Sequence, residues 1–264
     1  MEFQRASLRG GPIVMGILNV TPDSFSDGGV WSDPRAAARH AFEMEDQGAG
    51  IIDVGAESTR PGSSPISAEI EISRLAPVLR EIVPSLSVPV SVDTMKTAVA
   101  RKAADLGADI INDVNGLRDP GMPELCAEAG ICAIIMHNPC GPKDQHSSLM
   151  GDGYMDEIRD FLRERAAAAL EAGIPRQKIA LDPGIGFGKT PEQNLMVLRN
   201  SRFFSDGYPV LMASSRKRFL SLAYPGMDRD EASAEAAWES VRWGADMVRV
   251  HNVALTVRKL DRPR

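Results

Sequence analysis

The sequence predicts an α/β fold, a (β/α)8 barrel (TIM barrel) in a single domain with long flexible loops after strands 1 and 2, and three observations predict it. Short β-rich runs alternate with amphipathic helical stretches along the whole chain. There are eight such runs, each followed by a helix or by a loop long enough for one, which is the strand count of the barrel. Finally, QGAGIIDV (47–54), LGADIINDV (106–114) and WGADMVRV (243–250) echo one another. In each, glycine falls where a helix would end, because glycine takes the left-handed position there without steric cost, and a strand follows at once. A doubly wound parallel sheet is the alternative that periodicity leaves open.

In chain order the expected strands are 13–19, 51–54, 90–93, 110–112, 132–136, 179–182, 210–212 and 247–250. Several are unbroken apolar stretches, which suits parallel strands buried on both faces. Helices are expected over 34–47, 68–83, 96–106, 154–172 and 229–243. Pro34 behind Asp33 and Pro191 behind Thr190 read as first-turn prolines following a capping residue. No Pro/Ser-rich linker or composition break divides the chain, so one domain is expected over 1–264, with its core at about 12–260.

Composition narrows the function classes. At 264 residues with 43% hydrophobic content, the chain can bury a sizeable core. Its 30 Lys and Arg residues against 36 Asp and Glu give a net charge of −6. That acidity argues against nucleic acid and anionic membranes as partners, and any anion must be bound locally. The opening segment MEFQRASLRGGP lacks the apolar region of a secretory signal, and the longest clean apolar stretch, 131–136, falls far short of the ~20 residues that span a bilayer. Cys126, Cys132 and Cys140 are odd in number and have no C-x-x-C spacing, so reduced thiols in a cytoplasmic protein are expected.

In parallel α/β folds, function collects at the C-terminal ends of the strands. Here those ends are polar: Asn19, Asp53, Asp93, Asn112 with Asp113, His137, Asp182, Ser214 to Lys217, and Arg249 with His251. Singly, each could be a turn-forming residue; together they describe a site. Carboxylates and an amide in a barrel mouth suit a flat heterocycle with adjacent N–H donors. Arg60, Lys217, Arg249 and His251 could gather around a phosphate or diphosphate, and the Asn19 amide oxygen is a hard ligand acceptable to Mg²⁺. The stretches 20–33 and 57–67, rich in Ser, Gly, Pro, Asp and Thr, read as active-site covers carrying Phe25 and Arg60.

Several features are set aside. GIGFGKT (184–190) misses the phosphate-loop spacing, because its first glycine would fall at Pro183. Its glycines instead suit a tight turn and close backbone approach after the sixth strand. His137, Cys140 and His146 share a loop but lack the paired spacing of a zinc site. Trp238 and Trp243 read as core or subunit packing, and His40 as a surface or packing residue.

The segments MGILNVTPDSFSDGG (15–29), DVGAESTRPGS (53–63), SVDTMK (91–96), INDVNG (111–116), IIMHN (134–138), LDPGIGFGKT (181–190), SSRKRFL (214–220) and VRVHNV (248–253) together resemble the dihydropteroate synthase family. The resemblance covers every expected strand. It implies a TIM barrel, usually a homodimer, that is a transferase of folate biosynthesis. It would condense 6-hydroxymethyl-7,8-dihydropterin diphosphate with p-aminobenzoate, release diphosphate with Mg²⁺ as cofactor, and be inhibited by sulfonamides. Carried over by motif, Asp93, Asn112, Met136, Asp182 and Lys217 would grip the pterin. Asn19, Thr59, Arg60, Arg249 and His251 would hold the diphosphate, with Asn19 as the metal ligand. Phe25, Asp27, Thr59, Arg60, Pro61 and Arg218 would form the p-aminobenzoate pocket, and Asp93, Lys217, Arg249 and His251 would carry the catalysis. An SN1-like substitution is expected, since an arylamine is already nucleophilic and the difficult step is C–O cleavage.

The sequence departs from the family pattern at Asn252, where aspartate is more frequent, at Ala56 and Ser221, where glycine is common, and at Arg218, where serine is frequent. Two other readings stay open. A pterin-binding methyltransferase serving a corrinoid protein would share the barrel but has no use for Arg60, Arg249 and His251 as a diphosphate site. A catalytically degenerate paralogue would be expected to lose strand-end charges, and none is missing.

Overall fold

A computed structural model describes residues 1–3, 11–21, 33–58, 64–139 and 149–261. Eight parallel strands form one sheet: β1 (Ile13–Asn19), β2 (Ile51–Gly55), β3 (Val90–Asp93), β4 (Ile110–Asp113), β5 (Cys132–Met136), β6 (Ile179–Asp182), β7 (Leu211–Met212) and β8 (Met247–Val250). Neighbours in sequence are neighbours in the sheet, and β8 returns to pair with β1, Met15 opposite Arg249. A parallel bridge between Leu181 and Val210 joins β6 to β7 and completes the ring. A doubly wound sheet would place β1 internally and never pair the last strand with the first. The barrel reading therefore holds. β7 starts one residue later than its apolar run; Val210 still bridges β6 and accepts Met247 N at 3.0 Å, while its own amide donates to Asp246 Oδ2 at 2.9 Å.

The α-helices bounded within the described residues are α1 (Pro34–Asp46), α2 (Ala68–Ile82), α3 (Thr97–Asp105), α4 (Met122–Ala129), α5 (Tyr154–Glu171), α6 (Pro191–Leu198), α7 (Leu220–Ala223), α8 (Arg229–Arg242) and α9 (Val253–Leu260). Their starts follow the local chemistry. The Asp33 side chain accepts from Arg35 N ahead of α1, and Thr190 with Gln193 forms a reciprocal capping box on α6. The three echoed glycines, Gly48, Gly107 and Gly244, have φ of +97°, +89° and +95°, the left-handed stop that the repeat predicts.

Strand side chains alternate between two cores. Leu18, Val54, Val92, Ile111, Ile135, Leu181 and Val248 face outward and pack with the helices. Met15, Ile51, Ile110, Cys132, Ile134, Ala180, Leu211 and Met247 fill the barrel interior. Phe3 joins that interior group and is fully buried, so the structured chain reaches further toward the N-terminus than the expected core. Cys132 Sγ lies 3.4 Å from the Met1 carbonyl oxygen beside it. Cys126 and Cys132 are buried free thiols; burial pushes them up to about 12 and about 11, which keeps them protonated and unreactive. Cys140 and His146 lie outside the described residues. Among the described residues no helix is long and apolar enough to cross a membrane.

Phe3 plugs the barrel's interior, so Phe3→Ala should cost about 3–5 kcal/mol, as for large-to-small changes in a packed core. Urea denaturation checks this; a midpoint matching the unsubstituted chain would refute the plug.

Candidate functional site

The twofold period of the strands sorts the polar strand ends. On β2, Ile51 points into the barrel while Ile52 and Val54 point out, so Asp53 faces inward. Asn112, Asp182 and Arg249 follow inward-facing Ile110, Ala180 and Met247 by two residues and share that direction. Asn19, Gly55, Asp93 and Asn112 lie in one register row across β1 to β4. A Cβ on Gly55 would sit 3.8 Å from both Asn19 Oδ1 and Asp93 Oδ2, so those two oxygens border the same small space.

Two strand-end residues leave this group. Asp113 has the opposite parity and accepts from Asn115 N at 2.7 Å and Leu117 N at 2.8 Å, bracing the turn after β4. Burial pushes its carboxyl up to about 7, against the pull of those two amides. His137 packs edge-on against Phe161 with ring centroids 5.1 Å apart. Burial, reinforced by Lys189 and Arg118, drives it down to about 2, so it is neutral. Lys189 donates to the carbonyls of Gly184 at 2.8 Å and Phe187 at 3.0 Å. The lysine of GIGFGKT thus staples its own loop, in line with setting aside a phosphate loop. Gly184, at φ +69°, is required there: a Cβ would lie 1.9 Å from the His137 carbonyl oxygen. Sequence alone groups Asp113 and His137 with the site; strand parity removes them.

At the centre stands Arg249. Its Nε donates to Asp53 Oδ2 at 2.5 Å and its Nη2 to Asp93 Oδ2 at 2.8 Å. Asn112 Nδ2 donates to the same Asp53 oxygen at 3.1 Å. One relay therefore links β4, β2, β8 and β3. Burial raises Asp93 above the usual carboxylate range, with Arg249 pulling the other way. Arg249 is itself held above its ordinary value because Asp53 and Asp93 outweigh its desolvation. Asp53 is visible in the sequence as a polar strand end, but neither motif nor residue type assigns it a role; the geometry does, since it orients Arg249.

At the end of β6, Asp182 is buried and accepts Gly184 N on Oδ1 at 2.7 Å. Desolvation raises it, and nearby Lys217 pulls it back. Lys217 Nζ donates to the Ile185 carbonyl and lies 4.9 Å from the centroid of Phe187. Burial lowers this lysine to about 8. Val114, Met136 and Phe187 form a small separate apolar cluster with Met95 packed on it, a flat greasy surface beside these polar groups. His251 is pinned by one hydroxyl: Ser215 Oγ accepts its backbone N–H at 3.2 Å and lies 3.0 Å from Nδ1. Arg218 is exposed next to Lys217.

The structure thus brings Asp93, Asn112, Met136, Asp182, Lys217, Arg249, His251 and Asn19 to the mouth of one barrel. Phe25, Asp27, Thr59, Arg60 and Pro61 lie outside the described residues. The base of the segment after β2 is anchored by a cluster that sequence reading missed. Lys96 Nζ donates to Glu57 Oε2 at 2.5 Å and Glu71 Oε2 at 2.6 Å, while Glu57 Oε1 accepts Ile66 N at 3.0 Å. These partners lie 39, 25 and 9 residues apart, beyond the reach of any local pattern.

The profile of the pterin binding enzyme family matches residues 15–251. The chain is 46% identical to dihydropteroate synthase of Bacillus subtilis (strain 168) over 250 residues, 93% of this chain and 85% of that one. Among solved structures, it is similar to Yersinia pestis dihydropteroate synthase in complex with a sulfonamide drug (TM-score 0.89, 39% identity, 95% of this chain and 92% of that one). It is also similar to Xanthomonas albilineans dihydropteroate synthase with 4-aminobenzoic acid (TM-score 0.86, 39% identity, 95% and 91% covered).

Removing one partner of a buried ion pair leaves the other charge uncompensated, so Asp53→Ala should destabilise the fold by about 3 kcal/mol. Chemical denaturation measures it; a loss within the range of a surface substitution would show that Arg249 does not depend on Asp53.

Proposed function

Because the chain belongs to the pterin-binding enzyme family and is a dihydropteroate synthase, a transferase of folate biosynthesis, we propose that the inward residues of the barrel mouth divide its chemistry between a pterin side and a diphosphate side. One observation carries the division: Asp182 pairs in register with Met136 and Lys217 Nζ lies 4.9 Å from the Phe187 centroid, both against the apolar cluster, while Arg249 on the next strand, β8, is turned to the carboxylates of β2 and β3. A pterin ring can stack on Val114, Met136 and Phe187 and direct its N–H donors to Asp182, whose Oδ2 meets no donor from the described residues. Asn112 and Lys217 supply further polar contacts at its edge. Two carboxylates hold Arg249 through Nε and Nη2, which presents Nη1 to a diphosphate, and His251 adds a second donor.

The reaction follows from charge. The C–O bond to diphosphate breaks, its electron pair leaves with the diphosphate, and the p-aminobenzoate nitrogen takes its place and sheds a proton. Asp93 favours the cation that develops on the pterin, and Arg249 and His251 favour the departing anion. We infer an SN1-like course, with Phe25, Asp27, Thr59, Arg60, Pro61 and Arg218 around p-aminobenzoate and around sulfonamides that mimic it. Asn19 Oδ1, beside Asp93 Oδ2, is a hard oxygen donor of the kind Mg²⁺ accepts. When bound there, Mg²⁺ would offset charge on the leaving group. For assembly, we infer a homodimer: Leu222, Met227 and Trp243 are large apolar side chains exposed at 67%, 46% and 51%.

Three measurements test this reading. Asp182→Ala should weaken pterin binding by about tenfold or more, because it leaves ligand donors unpaired; calorimetric affinity equal to the parent would sink the assignment. Positional isotope exchange in the pterin diphosphate should be detectable, and strict second-order displacement without it would exclude the SN1-like course. Finally, Lys217 is charged below about 8 and neutral above it in the free enzyme. The kcat/KM for the pterin substrate should therefore fall as pH rises through that value, and Lys217→Arg should move the limb beyond about pH 10. A parent profile that stays flat through this range would remove Lys217 from the pterin site.

A further inference from the structure

The residues next to Lys217 and His251 converge on a single carboxylate. Arg216, immediately before Lys217, donates to Asp230 through Nε to Oδ1 at 2.7 Å and Nη2 to Oδ2 at 3.1 Å. Asn252, immediately after His251, donates from Nδ2 to the same Oδ2 at 3.1 Å. Asp230 lies in the first turn of α8, outside the barrel, and its own amide is held by Asp228 Oδ1 at 2.8 Å. Arg216 takes a φ of +58°, a left-handed conformation that a long side chain adopts only when its surroundings impose it. Those surroundings are on α8 as well: Arg216 N donates to Ser233 Oγ at 2.9 Å, and Arg229 Nη2 donates to the Arg216 carbonyl at 2.9 Å.

We propose that Asp230 is a positioning residue for the site, setting Lys217 on its pterin side and His251 on its diphosphate side at once through their chain neighbours Arg216 and Asn252. It touches neither substrate. It ties the segment after β7 to the end of β8, two segments already joined once by Ser215 and His251. The paired contacts make a ring: His251 to Ser215, along the chain to Arg216, across to Asp230, and back through Asn252. A ring of this kind fixes the separation of the Lys217 and His251 side chains, so that the two ends of the pterin diphosphate meet a preformed site. Arg216 and the Asn252 amide hold Asp230 below the usual carboxylate value, so the carboxylate is ionised throughout the working pH range.

Asn252 has a second task that makes the test clean. Its Oδ1 accepts Leu255 N at 3.0 Å and caps α9. Aspartate caps a helix as well as asparagine does, so Asn252→Asp keeps the cap, removes the donor to Asp230 and sets a second carboxylate against Asp230 Oδ2. Asp230→Asn keeps the shape and one acceptor for Arg216. In the double variant, the amide introduced at position 230 can donate to the carboxylate introduced at position 252 and restore the link with its polarity reversed.

This inference rests on the proposed diphosphate role of Arg249 and His251, so the experiment carries its own control. Titration of inorganic diphosphate with Mg²⁺ is followed by calorimetry, alongside KM for both substrates and thermal melting. Asp230→Asn and Asn252→Asp should each weaken diphosphate and raise KM for the pterin diphosphate about tenfold, the loss of one charge-assisted contact. KM for p-aminobenzoate should stay within about twofold, and the double variant should recover most of the loss. If Arg249→Ala and His251→Ala leave diphosphate affinity unchanged, the anion-site reading fails and the inference with it. If those two weaken it and the Asp230 and Asn252 variants do not, the site stands and the positioning role is overturned. Equal losses for both substrates that track the melting temperature, without recovery in the double variant, would also overturn it.

Discussion

A guanidinium shut between two carboxylates at the mouth of a barrel sets the terms for everything around it. Arg249 is mostly withdrawn from water, with only 16% of its side chain exposed, and so are Asp53 and Asp93 at 0% and 15%. Taking these charges out of water is costly, and the cost is offset by two charge-assisted hydrogen bonds, Arg249 Nε to Asp53 and Nη2 to Asp93. The arrangement spends no Arg249 contact on its own strand. It reaches across β1 to β2 and on to β3, so the site cannot form until the sheet has closed far enough to bring β8 beside β1. A protein with a net charge of −6 can bind an anion under these conditions, because local placement rather than bulk charge creates the positive surface.

The same closed sheet supplies a second organising rule. Every strand is buried on both faces, and its two faces meet different worlds. Outward positions meet helices and are apolar; inward positions are apolar at depth and polar at the rim. Asp53 and Asp113 show how sharply this operates. Both are fully buried strand-end carboxylates, yet one faces the barrel axis and orients Arg249, and the other faces outward and braces a turn with two backbone amides. One residue of register separates site chemistry from loop architecture.

Much of the fold was legible from the chain. Apolar runs, helical periodicity and the repeated Gly-Ala-apolar segment are local signals, and each reports a local physical preference: strand burial, amphipathicity, the left-handed helix stop. The site was legible as a set of residue types at strand ends. Two parts were not. The sorting of Asp113 and His137 away from the mouth depends on which face of the sheet each occupies, which polar strand-end composition does not reveal. Phe3 was equally hidden, because a lone phenylalanine near the N-terminus has no periodic context, and only the barrel's open end gives it somewhere to pack. The Lys96 cluster and the Asp230 ring join residues from separate βα units, so no spacing rule connects them.

By itself, then, the sequence determined the barrel, its family and the kinds of side chain at its rim. Those properties follow from preferences that each segment expresses alone and from motifs that run along the chain. Tertiary structure decided which of those side chains cooperate: Arg249 with Asp53 and Asp93, His251 with Ser215, Arg216 and Asn252 with Asp230. The reason is geometric. Burial makes an unpaired charge expensive, and whether a charge finds its partner depends on strand order and facing, which exist only once the ring is closed.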